Sequence, residues 1–205
     1  MLRHSACWWH CHGSAASFNL EFRLHIDPIR AGKNDGRIGL TVCPGVNDPA
    51  ATNTGRRRSL EADVSHIKAW KAKALVSALE YEELQGLGIL DLGVCASRAG
   101  IWWFRVPVPK GKAPDDRFWR AWPNAAPSLL QLLRQGERIV IHCDGTFGRS
   151  GLTACCLLQE LGDGPNDALR AVRAAQPKAV DGGAQELFVH QYLPRFPEHT
   201  RLKKD

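Results

Sequence analysis

Alternation of apolar and polar residues is strictest near the N-terminus. Phe18, Leu20, Phe22, Leu24 and Ile26 alternate with Asn19, Glu21, Arg23 and His25, and a period of two marks a strand with one buried face. Asp27-Pro28 ends that run, and Gly32 to Gly36 is a turn. Arg37 to Val42 reads as a second strand, placed to pair antiparallel with the first. Residues 44 to 58 carry Pro, Gly, Asn and Thr and read as a loop.

From there the period lengthens. Ser59 can cap a helix whose Leu60, Val64 and Ile67 share one face, running to about Ala72. Ala74 to Leu79 reads as a strand, Glu80 to Leu87 as a short helix ended by Gly88, and Ile101 to Val108 as an aromatic-rich strand. Pro107 to Asp116 is a loop. Arg117 to Gln135 carries a broad apolar face, Leu129, Leu130, Leu132 and Leu133, on a helix expected to break near Pro123 and Pro127. The β-branched run Ile139 to Ile141 reads as a buried strand, and an apolar helix, Leu152 to Leu161, stops at Gly162. Pro165 opens a further helix, and a last one spans about Gly183 to Tyr192. Strands alternating with helices predict an α/β fold: a mainly parallel central sheet flanked by helices on both faces, with an N-terminal strand pair.

At 205 residues, 44% of them hydrophobic, the chain is long enough for one domain with a real core. No apolar run approaches the ~20 residues that span a bilayer, and the N-terminus lacks the continuous apolar stretch of a signal peptide. Seven cysteines at irregular spacing favour a reducing, cytoplasmic setting over a disulfide framework. The net charge of +6 suits phosphorylated partners. Its dense spots, Arg56 to Arg58 and the tail Arg201 to Lys204, lack interleaved aromatics, so no nucleic acid is expected. Cys7, His10, Cys11 and His12 lack a second ligand pair at zinc spacing, so no metal is expected.

The chemistry concentrates in Ile139-Val-Ile-His142-Cys143-Asp144-Gly145-Thr146-Phe147-Gly148-Arg149-Ser150-Gly151. A strand runs into a glycine-containing loop that opens a helix, so several backbone N–H groups turn inward and an anion is the natural occupant. Asp144 to Gly148 would line that nest, and Arg149 would grip two oxygens of a tetrahedral dianion. Beneath it, the Cys143 thiolate would be favoured by the same positive field, placed to attack phosphorus. Ser150 either eases sulfur's departure or caps the helix, and His142 bonds backbone at the loop base. Cys155 and Cys156 are packing residues.

At these residues the chain resembles the cysteine-dependent protein tyrosine and dual-specificity phosphatases, in wording most like the cyclin-dependent kinase inhibitor 3 (kinase-associated phosphatase) branch. The resemblance covers about Gly36 to Tyr192, giving a catalytic domain over 36–193, an extension with one strand over 1–35, and a basic tail over 194–205. It implies a phosphomonoester hydrolase acting on phosphorylated Tyr, Ser or Thr of proteins through a cysteinyl phosphate, with no cofactor. Ala179-Val-Asp-Gly-Gly-Ala-Gln185 resembles the segment whose glutamine holds the hydrolytic water, so Gln185 is the candidate there. Other Cys-x5-Arg enzymes fit less well: arsenate reductases and low-molecular-weight phosphatases carry the loop near the N-terminus, and an Arg-Ser helix start suits phosphate better than a rhodanese.

Two positions depart from the pattern. Asp144 sets a carboxylate beside the expected dianion, tolerable if it points outward, where it would favour basic substrate surfaces. In the loop that supplies the family's aspartic acid, Pro107, Gly111, Pro114 and Asp115 fix a register that leaves Lys110 at the acid position. Asp115 is then the substitute acid or, with Asp116, simply a cap for the next helix. The alternative is a phosphate-binding pseudophosphatase with weak or no turnover.

Overall fold

The computed structural model describes residues 24–46, 58–180 and 182–196. Among these residues five strands form one sheet: β1 Asp27–Ala31, β2 Gly36–Thr41, β3 Ala72–Ser77, β4 Trp102–Arg105 and β5 Arg138–His142, in the order β1-β2-β5-β3-β4. β1 is antiparallel to β2, and the other neighbours are parallel. Seven helices accompany them: α1 Leu60–Ala69, α2 Tyr81–Gly86, α3 Leu92–Arg98, α4 Asp116–Arg134, α5 Gly148–Glu160, α6 Pro165–Ala175 and α7 Gly183–Gln191.

The strand period explains why helices lie on both faces. Ala74, Val76, Ile139 and Ile141 point into one core with α4, α5, α6 and α7. The intervening Leu75 and Val140 point into a second core built on α1, α2 and α3. Central parallel strands are therefore apolar on both sides, as a sheet covered twice must be. β5 lies in the middle of the order, so the loop after it opens at the carboxyl edge between the two layers.

The structure revises several expected elements. The first strand begins where the alternating run was expected to end, at Asp27, and includes Pro28. Proline fits because β1 is an edge strand, where a missing N–H breaks no inner ladder. Residues 18–23 of that run lie outside the described residues, as do Arg56, Arg57, the tail from 201 to 204, and Cys7, His10, Cys11 and His12. β3 starts two residues early, which preserves its face assignment. β4 stops at Arg105, short of Pro107. α4 does not break: Pro123 and Pro127 sit one turn apart on its exposed side. Both prolines are exposed, while Phe118, Trp122, Ala125, Ala126, Leu129, Leu130 and Leu133 bury the opposite side. At ~1.5–3 kcal/mol per large apolar side chain, that face outweighs ~3 kcal/mol per interior proline. α3 was not expected; Gly93 and small residues blur its period, and only Leu92 and Ala96 are buried.

The far end of α5 is an anchor. Buried Glu160 accepts from the Tyr192 hydroxyl at 2.5 Å and from the backbone N–H groups of Arg195 and Phe196 at 2.9 and 2.7 Å. Gln159 donates to the Val189 carbonyl at 3.0 Å. The start of the segment expected as a basic tail from 194 is thus tied to α5 through residue 196. Among the described residues no helix is long and apolar enough to cross a membrane.

Gly36 opens β2 under a backbone: a Cβ there would lie 2.3 Å from the Leu133 carbonyl oxygen and 2.8 Å from that of Ala31. Gly36→Ala is expected to destabilise by about 1–3 kcal/mol through overpacking against atoms that cannot rotate away. Gly86→Ala, with nothing within 4 Å of its Cβ, should be neutral or stabilising, and urea unfolding of both variants checks the contrast.

Candidate active site

β5 ends at His142, and the tight packing of that strand fixes the start of the loop beyond it. His142 is fully buried and its Nε2 lies 2.6 Å from Ser77 Oγ. The Trp103 indole donates to the same oxygen at 2.8 Å. Ser77 Oγ can accept from the indole and still share a hydrogen bond with Nε2 of a neutral imidazole. Burial pushes the His142 pKa down to about 4, with a hydrogen bond to the Cys143 backbone opposing and Arg149 assisting. His142 is a neutral brace between three strands, and its second ring contact differs from the plain backbone role expected.

Cys143 comes next, buried, with Sγ 3.4 Å from Ser150 Oγ. The chain turns over Asp144 to Phe147 and enters α5 at Gly148. Positive φ falls on Gly145 at 112° and on Phe147 at 58°; Gly148, whose missing side chain would also permit it, is the first helical residue. A non-glycine residue in this region carries strain on the order of 1–3 kcal/mol, and Phe147 is held there by packing against the main core. Thr146 donates through its hydroxyl to Asp144 at 3.1 Å.

Arg149 is buried at 1% side-chain exposure and meets two carboxylates: Nη1 donates to Glu83 Oε2 at 2.6 Å, and Nη2 lies 3.1 Å from Asp144 Oδ2. Nη1 also reaches the Val108 carbonyl at 3.3 Å. Nε is buried without a hydrogen-bond partner, and Nη2 meets the Asp144 carboxylate, so the donors on that edge are not saturated. Glu83 was not found from the sequence. The signal available was Glu80-x-x-Glu83, a capping box for α2 that the structure forms; its second task at Arg149 joins residues 66 apart.

Asp144 does not point outward. Its Oδ2 bridges Arg149 and Lys110 Nζ, the latter at 2.8 Å. Burial pushes its carboxyl upward, but Lys110 and Arg149 more than offset this and hold it well below the usual carboxylate range. Asp115 takes the capping place: it is the N-cap of α4, accepts from Arg117 N at 2.9 Å, and pairs through Oδ2 with the Arg117 side chain. Of the two readings of Asp115, acid or cap, the geometry is that of a cap: the carboxylate is held to its own helix start, its pKa lowered chiefly by the Arg117 side chain. Asp116 is the first residue of α4. Gln185, in the first turn of α7, is buried; its Nε2 donates to the Lys112 carbonyl at 3.4 Å and its Oε1 has no partner among the described residues. The structure thus gathers Cys143, Asp144, Arg149 and Ser150 around one loop, with Glu83 and Lys110 at its edges, joins Gln185 to the segment after β4 through Lys112, and leaves Asp115 on α4. Cys155 and Cys156 are buried in the core, and the five described cysteines are all free.

Comparison with known proteins gives the same frame. The cyclin-dependent kinase inhibitor 3 family model matches residues 35–169. Cyclin-dependent kinase inhibitor 3 of Rattus norvegicus is 31% identical over 164 residues, covering 78% of this chain and 71% of that protein. The crystal structure of kinase associated phosphatase with its catalytic-site cysteine substituted by serine superposes with a TM-score of 0.69 at 22% identity, over 83% of this chain and 94% of that one. Tk-PTP in its active form gives 0.56 at 24% identity, over 80% and 98%. The fold is that of the cysteine-dependent protein tyrosine phosphatases. Within that class, the chain belongs to the cyclin-dependent kinase inhibitor 3 family.

The neutral His142 makes stability depend on pH. Its folded pKa of about 4 lies below the ordinary 6.5, so the unfolded chain binds the proton first and stability is lost as pH falls from 6.5 toward 4. The loss is expected to reach about 3 kcal/mol. Urea titrations at pH 7 and pH 4 should show it, and His142→Asn, which cannot ionise, should lack that part of the difference.

Proposed function

We propose that this chain hydrolyses phosphate monoesters of protein Tyr, Ser or Thr through a cysteinyl-phosphate intermediate. The observation that carries the reading is the unsaturated Nε/Nη2 edge of buried Arg149, where Nε has no hydrogen-bond partner and Nη2 meets the Asp144 carboxylate, in the helix-opening loop that begins at Cys143. A planar edge with two N–H donors matches two oxygens of a phosphoryl group, and a point charge would not. The loop from Asp144 to Gly148 is the phosphate-binding loop in this reading, completed by the amino end of α5.

Cys143 attacks phosphorus, a sulfur–phosphorus bond forms, and the ester oxygen departs. Arg149 follows the equatorial oxygens into the transition state, where charge spreads over them. Water then attacks the thiophosphate, and its position is set by Gln185, whose free Oε1 is an acceptor suited to it. Ser150, within 3.4 Å of the sulfur, donates to it as it leaves. The relatives' names tie them to a protein kinase, which supports a phosphorylated protein as substrate. We place the enzyme in the cytoplasm, a reading supported by its free cysteines, with residues 36–193 as the catalytic unit; neither cofactor nor nucleic acid enters the scheme.

Cys143→Ser is expected to reduce hydrolysis of 4-nitrophenyl phosphate to background while still binding tungstate; full retained activity would show the nucleophile to be wrong. Arg149→Lys should lower kcat by about 10²–10³, the usual worth of one oxyanion donor. Gln185→Ala should release 4-nitrophenol in a burst followed by slow turnover, read by stopped flow.

A further inference from the structure

Three contacts on alternate residues draw the segment after β4 over the Cys143 loop. The Val108 carbonyl accepts from Arg149 at 3.3 Å, Lys110 Nζ pairs with Asp144 Oδ2 at 2.8 Å, and the Lys112 carbonyl accepts from Gln185 at 3.4 Å. Lys110 is the middle one of the three. Its side chain is 69% exposed, whereas Cys143 is buried, so the ammonium stands at the mouth of the site and the sulfur at its floor. In-line displacement puts the leaving oxygen opposite the attacking sulfur, toward that mouth. Asp115, the nearest aspartate along the chain, is held by Arg117.

We propose that Lys110 is the proton donor to the leaving oxygen and that Asp144 positions it; this rests on the phosphatase reading above. As the S–P bond forms and the P–O bond breaks, one Nζ proton passes to the departing oxygen, which leaves as an alcohol or phenol, and Lys110 becomes a neutral amine. In the second half the amine takes a proton from the attacking water. The P–S bond breaks, its electron pair returning to sulfur as thiolate, hydrogen phosphate leaves, and the ammonium is restored.

Strength and population trade places when a lysine does this work. A carboxylic acid is a stronger donor, but only a small fraction of it is protonated at neutral pH. An ammonium is weaker and fully protonated. The groups facing Lys110 are Asp144 after β5, Arg149 on α5 and Glu83 on α2; the hydrogen bond to Asp144 is the largest influence and holds the ammonium above its ordinary range. The donor therefore stays loaded into alkaline solution, where a carboxyl group would be spent. The same pairing explains why a carboxylate directly succeeds the nucleophile: without it, an exposed flexible lysine would have no fixed place at the mouth.

The test compares phenyl phosphate, whose leaving group needs a proton, with 4-nitrophenyl phosphate, whose oxyanion departs readily. Lys110→Met should lose on the order of 10²-fold in kcat with phenyl phosphate and far less with 4-nitrophenyl phosphate. Lys110→Arg keeps the charge and its pairing but surrenders a proton much less readily, and should also be slow with phenyl phosphate. Wild-type kcat should hold level to about pH 9, and Lys110→Asp should fall off well below that. Asp144→Asn should show a weaker form of the same leaving-group dependence. Equal leaving-group dependence in wild type and Lys110→Met, or a full rate in Lys110→Arg, overturns the donor; a full phenyl phosphate rate in Asp144→Asn overturns the positioning. Cys143→Ser is read separately. Turnover that it abolishes keeps the phosphatase reading whichever way Lys110 falls, and a wild type inert toward both substrates overturns both.

Discussion

A guanidinium cannot lose its charge, so burying one obliges the surrounding fold to answer it. Arg149 is buried, and three separate stretches respond: α2 through Glu83, the segment after β4 through the Val108 carbonyl, and the loop after β5 through Asp144. These stretches are far apart in sequence and belong to both layers around the sheet. Removing one partner of a buried charge is expensive because the other stays behind unpaired. The cation therefore fixes where α2 and the segment after β4 stand relative to Cys143, and the site is assembled around it.

That assembly is also nearly neutral. Arg149 and Lys110 are matched by Glu83 and Asp144, so long-range attraction to a dianion is modest. In the proposed reaction selectivity would come instead from direction: the unsaturated Nε donor of Arg149 and the helix start beside it. Directed donors of this kind act at short range and are little screened by salt. Asp144 lies against Arg149, so an arriving phosphate and this carboxylate compete for one Nη2, while Lys110 holds the carboxylate from its other side.

Much of this is legible in the sequence because it is local. Cys143, Arg149 and Ser150 fall within eight residues on one strand–loop–helix unit, and the strand faces come from a period of two. The β1–β2 pairing is foreseeable too, although Pro28 reads as a terminator and an edge strand accommodates it. The unbroken α4 cannot be foreseen from its prolines, since what decides the matter is which side of the helix is buried. Glu83 and the inward turn of Asp144 are hidden for another reason: each is defined by a partner distant in sequence, Arg149 for one and Lys110 for the other. Phe147 is the subtler case. The sequence supplies a glycine beside it, yet the chain takes its left-handed residue one position earlier and lets core packing enforce it.

α5 carries a further consequence. Its first turn closes the loop over Cys143, and its last, through Gln159 and Glu160, holds the end of the helix that begins near Gln185. At ~1.5 Å per residue, these thirteen residues form a rod of about 20 Å, joined at one end to the loop that holds Cys143 and clamped at the other to the base of the arm bearing Gln185. In the proposed reaction the two halves would share one ruler. A disturbance at the Glu160 clamp, remote from phosphorus, would swing that arm and fall on the release of phosphate, leaving its capture untouched.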